Sequence, residues 1–308
     1  MSVRRTRFPR AALAAGALAA APPQAIPGDW VNKVQPVVAP AQPGAIALPV
    51  TLARANSARE GWAQQTPGQR LVYNVSQPQL LPWPSSLPPK AIAPAVLLIP
   101  GGGFQFLAMD NEGFDVARRI DKQGVRVFIV KYRTLPLADG FAGFKEAISR
   151  SFQKGEPVTA DDRPYAVADT QAAIRLVRAR GREWHVDPAK VGILGFSAGA
   201  ITALATAQAN AADARPDFVG LVYGPTAAVA LPIKPPPLFA AIAGDDRFFK
   251  NQDLGLIHGW RTAGSSVEFH LYSGGGHGFA SQPHGTTSDA WFDQFALWLN
   301  DTGIVAAH

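Results

Sequence analysis

Seven short apolar runs recur between residues 71 and 272, separated by segments of helical periodicity, and nothing else in the chain restricts its fold so tightly. The runs are Leu71–Val75, Ala95–Pro100, Val125–Tyr132, Val191–Gly195, Phe218–Tyr223, Leu238–Ala243 and Val267–Tyr272. Several are apolar at nearly every position. A strand with one wet face alternates, so unbroken runs indicate strands buried on both faces. Helical spacing marks Glu112–Gln123, Tyr165–Arg182 and Ser197–Ala212, and Ser288–Leu299 follows the last run with Trp291, Phe292, Phe295 and Trp298. Alternating β and α of these lengths predicts an α/β fold, a doubly wound, mostly parallel sheet with helices on both faces.

The flanking regions read differently. Arg4, Arg5, Arg7 and Arg10 precede an alanine-rich stretch, Ala11–Ala21, long enough for the core of a signal peptide and too short to span a bilayer. Residues 1–25 are therefore expected to be a leader for export, and residues 26–69, rich in Pro and Ala, an extended arm. Residues 70–308 form the α/β domain. Its one long interruption, residues 135–164, is punctuated by proline and charge and predicts a cap over a site.

The net charge of +6 does not mark a nucleic-acid binder, because without the four leader arginines it falls to +2. The remaining basic residues are scattered, with no basic run and no interleaved aromatics. Cysteine is absent, which excludes disulfides, thiol catalysis and Cys-based metal sites. The histidines and carboxylates show no metal-ligand spacing such as HExxH, so neither metal nor other cofactor is expected.

Chemistry concentrates where runs end. Val191–Gly195 passes into Gly195-Phe196-Ser197-Ala198-Gly199 and then a helical stretch. A G-x-S-x-G turn between strand and helix is a nucleophile elbow: the turn is tight enough to exclude Cβ atoms two residues either side of the serine. The serine oxygen then stands above the positive end of a helix. Another buried run ends in Pro100-Gly101-Gly102-Gly103-Phe104, whose free backbone N–H groups suit a developing oxyanion. Gly102, Gly103 and Ala198 are the expected donors. A dinucleotide loop would need G-x-G-x-x-G, which Phe104-Gln105-Phe106 breaks.

A nucleophilic serine needs a base, and the base needs an orienting carboxylate. His277, in Gly274-Gly275-Gly276-His277-Gly278, follows the Val267–Tyr272 run and so reaches the same sheet edge as Ser197. His270 falls within a strand, His258 on a helix, and His284 further down the loop is the competitor. Asp245 and Asp246 both follow Leu238–Ala243, and spacing alone does not choose between them.

With these motifs in this order, the chain resembles the acetylesterase and acetylxylan-esterase-like branch of the α/β-hydrolases, near the hormone-sensitive-lipase-like and feruloyl-esterase-like enzymes. Asn74–Leu80, Pro100–Phe104, Glu112-Gly113, Lys131-Tyr132-Arg133, Asp169, Asp187-Pro188, Gly195–Gly199, the Asp245-Asp246 region and Gly276–Phe279 carry the resemblance across residues 71–300. It implies the eight-stranded α/β-hydrolase fold and hydrolysis of short-chain, acetyl-type esters on small molecules, sugars or xylan fragments. It also implies Asp246 as the acid, because Phe249 stands three residues on as the apolar opener of the next segment. Phe104 and Phe106 are candidates to border the acyl group. Pro100 departs from the histidine of the lipase-like motif, and Ala200 from a common glycine. The rival readings are a serine peptidase or acylaminoacyl hydrolase on the same triad, and an inactive hydrolase fold that only binds.

Overall fold

The computed structural model describes residues 30–54, 58–66, 68–154 and 162–305. The expected leader and His308 lie outside these residues. Twelve strands are described: β1 (Gln35–Val37), β2 (Ile46–Ala47), β3 (Gly61–Gln64), β4 (Arg70–Tyr73), β5 (Gln79–Pro82), β6 (Ala93–Ile99), β7 (Phe106–Leu107), β8 (Arg126–Lys131), β9 (Val186–Phe196), β10 (Val219–Val222), β11 (Leu238–Ala243) and β12 (Val267–Tyr272). The helices are α1 (Trp30–Lys33), α2 (Asp115–Asp121), α3 (Gly140–Ile148), α4 (Arg163–Ala179), α5 (Gly181–Trp184), α6 (Ala198–Gln208), α7 (Gly255–Thr262) and α8 (Trp291–Asp301).

Eight strands make the main sheet, in the order β12-β11-β10-β9-β6-β8-β5-β2. The six from β12 to β8 run parallel. β5 and then β2 close the far edge antiparallel. Every residue of β6, β8, β10 and β11 is buried, which explains their apolar composition, broken only by Arg126 and Lys131 at the two ends of β8. Helices cover both sides of this sheet, as the alternating pattern of the sequence predicts.

Three features of the N-terminal half add to the sequence reading. The Leu71–Val75 run does not join the parallel sheet. As β4 it lies in a separate antiparallel sheet ordered β1-β3-β4-β7. The Pro/Ala-rich segment is extended but not a free arm: β2 pairs with β5 and β1 with β3, while Trp30 and Trp62 are buried. The 135–164 insertion carries α3 and a π-helical turn, Ser149–Gln153, as far as it is described. Its Phe144 stacks on Tyr73 at 4.4 Å, and with Trp30 and Phe106 these rings build a second hydrophobic cluster beside the main core. Aromatic pairs of this kind add about 0.5–1.5 kcal/mol each beyond burial.

Where β8 ends, Arg133 turns inward onto Asp169 of α4. The guanidinium meets the carboxylate in a fork, with Nε–Oδ2 at 3.0 Å and Nη2–Oδ1 at 2.7 Å, and the Arg133 N–H donates to the same group. Both side chains are almost wholly buried, at 3% and 1% exposed.

Candidate active site

Ser197 sits between the end of β9 and the start of α6 with φ 52° and ψ −118°, a conformation that costs a non-glycine residue about 1–3 kcal/mol. The packing holds it there. A Cβ on Gly199 would fall 1.8 Å from the Ile99 carbonyl oxygen, and one on Gly195 would fall 2.2 Å from that of Gly199. The Ser197 N–H donates to the Val222 carbonyl of β10, tying the elbow to the neighbouring strand.

The loop after β12 brings His277 over the serine, with Nε2 2.8 Å from Ser197 Oγ. On the other side, Nδ1 lies 2.7 Å from Asp246 Oδ2. Asp246 is 0% exposed, and its second oxygen accepts the N–H groups of Phe248 at 2.8 Å and Phe249 at 3.3 Å. Asp245 does different work: its Oδ1 accepts the Gly276 N–H at 2.8 Å and so braces the histidine loop. The imidazole is walled by Tyr223 and Phe248, ring centroids 4.9 and 4.7 Å away. His284 lines the rim of the same cleft, and its backbone N–H donates to Asp289. His270 is in β12 and His258 in α7.

The glycine loop is folded on itself. The Gly101 carbonyl accepts the Ala108 N–H, and the Gly102 carbonyl accepts those of Gln105 and Phe106. In a trans peptide the N–H points opposite the carbonyl of the preceding residue, so the Gly102 N–H is turned away from Ala108. Gly102 has φ +133° and lines the cleft with Ser197 and His277. A side chain there would strike the Phe106 carbonyl at 2.1 Å. Gly103 stands back against the Phe152 ring, and Ala198 opens α6 beside the serine. Of the two aromatic candidates, Phe106 lines the cleft, whereas Phe104 turns toward Tyr132, 6.5 Å between centroids.

The cleft encloses about 350 Å³. Sequence reasoning missed several of its residues. Trp30 arrives from α1 and Phe152 from the insertion, and together with Phe106 they form an aromatic wall. Gln65, Gln69 and Arg70 come from the β3–β4 hairpin, Arg70 being held by Asp110 at 2.8 Å. Asn111 and Glu112 come from a π-helical turn, Met109–Phe114, of the type that recurs at functional sites. Burial pushes the Glu112 carboxyl above the ordinary carboxylate range, opposed by its bonds to Tyr223 and Gly101. Burial, reinforced by Glu112, pushes the Tyr223 hydroxyl far up.

The dienelactone hydrolase family model matches residues 93–298, from the start of β6 into α8. This chain belongs to the dienelactone hydrolase family. It is similar to an acetylxylan esterase of Xylanibacter ruminicola, 26% identical over 252 residues. The match takes in 70% of this chain but only 46% of that protein, so the chain spans about half the length of its curated relative. Among solved structures it resembles an acetyl ester-xyloside bifunctional hydrolase from Caldicellulosiruptor lactoaceticus: TM-score 0.60, 21% identity, 76% of this chain and 91% of that one. It also resembles an esterase of Thermogutta terrifontis solved with propionate bound, at TM-score 0.56 and 17% identity over 79% of this chain and 97% of that one. These structural likenesses establish the hydrolase fold. Among the described residues no helix is long and apolar enough to cross a membrane, and no group of three His, Asp or Glu could hold a metal ion.

Proposed function

We propose that this protein is a serine carboxylesterase that removes short acyl groups, acetyl foremost, from sugars or xylan fragments. The observation that carries the reading is the unbroken relay from Asp246 through His277 to Ser197, at 2.7 and 2.8 Å. His277 Nε2 takes the Ser197 proton as Oγ attacks the ester carbonyl. The resulting oxyanion is met by the N–H groups of Gly102 and Ala198, with Gly103 behind them. The imidazolium returns its proton to the departing alkoxide, leaving an acyl-serine. Water, deprotonated by the same histidine, releases the acid and restores Ser197.

Two features support the substrate class. The aromatic wall of Trp30, Phe106 and Phe152 offers the acyl chain an apolar face. The same cleft is also lined by amides and polar groups (Gln65, Gln69, Arg70, Asn111 and Gln282), which suit a polyhydroxylated leaving group. The named relatives, an acetylxylan esterase and an acetyl ester-xyloside hydrolase, point the same way. Residues 135–164 serve in this reading as a cap through Phe152. Export under the leader at residues 1–25 would bring the enzyme to a polymer that cannot enter a cell.

The test compares wild type with Ser197→Ala on p-nitrophenyl acetate and butyrate, alongside fluorophosphonate labelling. Loss of labelling and a fall in kcat of about a thousandfold or more are expected. Undiminished turnover in the variant would overturn the mechanism. A panel of acetylated xylo-oligosaccharides, alkyl acetates and peptide amides then separates sugar esterase from general esterase and from peptidase.

A further inference from the structure

The hydrolytic mechanism above makes no use of Glu112, although this carboxyl is only 5% exposed, lines the cleft, and has both oxygens engaged. Oε2 accepts the Gly101 N–H at 2.5 Å, and Oε1 accepts the Tyr223 hydroxyl at 2.7 Å. The first bond reaches the glycine loop. The second reaches the residue after β10, whose ring packs on His277. Its neighbour Asn111 clips the other loop: Nδ2 donates to the Gly278 carbonyl, while Oδ1 accepts the Ser281 N–H and hydroxyl. Two consecutive residues of one π-helical turn thus grip both loops that flank Ser197.

A charged group is costly to bury. A lone structural brace for Gly101 needs only an acceptor, and water or a carbonyl would serve. What a carboxyl adds is two acceptors on a rigid plane, which fixes the distance between Gly101 and Tyr223. Space at Gly101 is already minimal, since a Cβ there would lie 2.5 Å from the Phe196 carbonyl and 2.7 Å from Ser197 Cβ. A small drift of the loop therefore changes the position of the Gly102 N–H relative to the serine. Oxyanion donors must sit where the charge develops, so drift of this kind is felt in the transition state and not in ground-state binding.

We infer that Glu112 is a positioning residue that sets the register between the oxyanion loop and the histidine wall, acting through Gly101 and Tyr223. It touches no reacting atom. The groups facing it are Gly101, Tyr223, His277 and the buried Tyr132, with Asp246 beyond the imidazole. The inference rests on the Ser197 mechanism proposed above.

The experiment measures kcat and KM on p-nitrophenyl acetate for Glu112→Ala, Glu112→Gln and Tyr223→Phe, with Ser197→Ala as the reference for the underlying reading. Glu112→Ala is expected to lower kcat about 100-fold, the size of losing one oxyanion donor, with KM within about twofold of wild type. Glu112→Gln keeps an acceptor for Gly101 and can donate to Tyr223 Oη, so it should restore kcat to within about tenfold of wild type. Tyr223→Phe keeps the ring on His277 and removes one anchor. Its kcat should fall about three- to tenfold, roughly the value of one neutral hydrogen bond, again without a change in KM. This last variant carries the test if Glu112→Ala does not fold. The inference is overturned if Glu112→Ala retains kcat within threefold, if KM rises in step with the loss, if Glu112→Gln is as impaired as Glu112→Ala, or if Tyr223→Phe is silent. If Ser197→Ala itself retains activity, the failure belongs to the proposed mechanism instead.

Discussion

Replacing Asp246 by asparagine changes one atom in a place where the structure leaves it a single orientation. The native Oδ1 accepts two backbone N–H groups, from Phe248 and Phe249, and Oδ2 faces His277 Nδ1. An asparagine keeps its oxygen on the loop side, since turning the amide over would set its NH₂ against two donors at a cost of about 1–3 kcal/mol for each group left unpaired. The NH₂ must then face Nδ1, which can accept only if the imidazole carries its proton on Nε2. That proton points at Ser197 Oγ, and the base is disabled. A wrong-tautomer base costs about 10⁴ in kcat, or roughly 5.5 kcal/mol of transition-state stabilisation. Because Asp246 is fully buried and off the cleft, KM should stay within about twofold, and the unfolding midpoint should move little. Steady-state kinetics on p-nitrophenyl acetate with parallel thermal denaturation reads all three quantities. Asp245→Asn is the internal contrast: its oxygen can still accept the Gly276 N–H, so kcat should fall less than about tenfold. A kcat for Asp246→Asn within tenfold of wild type, or equal losses in the two variants, would refute the argument.

Two other outcomes follow from the packing. Burial holds the Asp169 carboxyl above its ordinary range against the pull of Arg133, so the pair is costly to break and cheap to replace whole. Asp169→Ala should lose about 3–5 kcal/mol in urea unfolding, while the double change Arg133→Met with Asp169→Leu should recover most of it; a double variant no better than the single one would contradict this. Phe152→Ala should open the acyl wall, raising kcat/KM for butyrate relative to acetate by up to about 15-fold, the worth of burying two further methylenes. An unchanged ratio would place the acyl group elsewhere.

Ser197 and its glycine loop were legible because their signals are local: a strand, a tight turn and a helix are written in consecutive residues. His277 was reached by chain order and by its place after an apolar run. The two aspartates were not separable from spacing, since both follow β11 directly. What distinguishes them is tertiary, one being sealed against the imidazole and the other bonded to Gly276. Glu112 opens the helical stretch expected from the sequence and Asn111 lies just before it; the π-helical register from Met109 to Phe114 is what brings both to the cleft. Trp30 carried no signal at all, because a four-residue helix reaches the cleft only through packing against rings 76 and more residues away. β2 and β5 were invisible for a similar reason. β2 is only two residues long, β5 carries Gln79 and Pro82, and both owe their strand character to the edge they cover.

The two loops gripped by the Asn111-Glu112 turn lie far apart along the chain, and Phe196, at the elbow, packs edge-on against Trp291 of α8 at 5.8 Å. During synthesis Ser197 and the glycine loop therefore emerge before His277 and before the helix that packs behind the elbow. A nascent chain holding Ser197 is a bare alcohol on an unfinished sheet. On the mechanism proposed above, hydrolytic activity should appear only once the C-terminal loop and helix have docked onto that sheet.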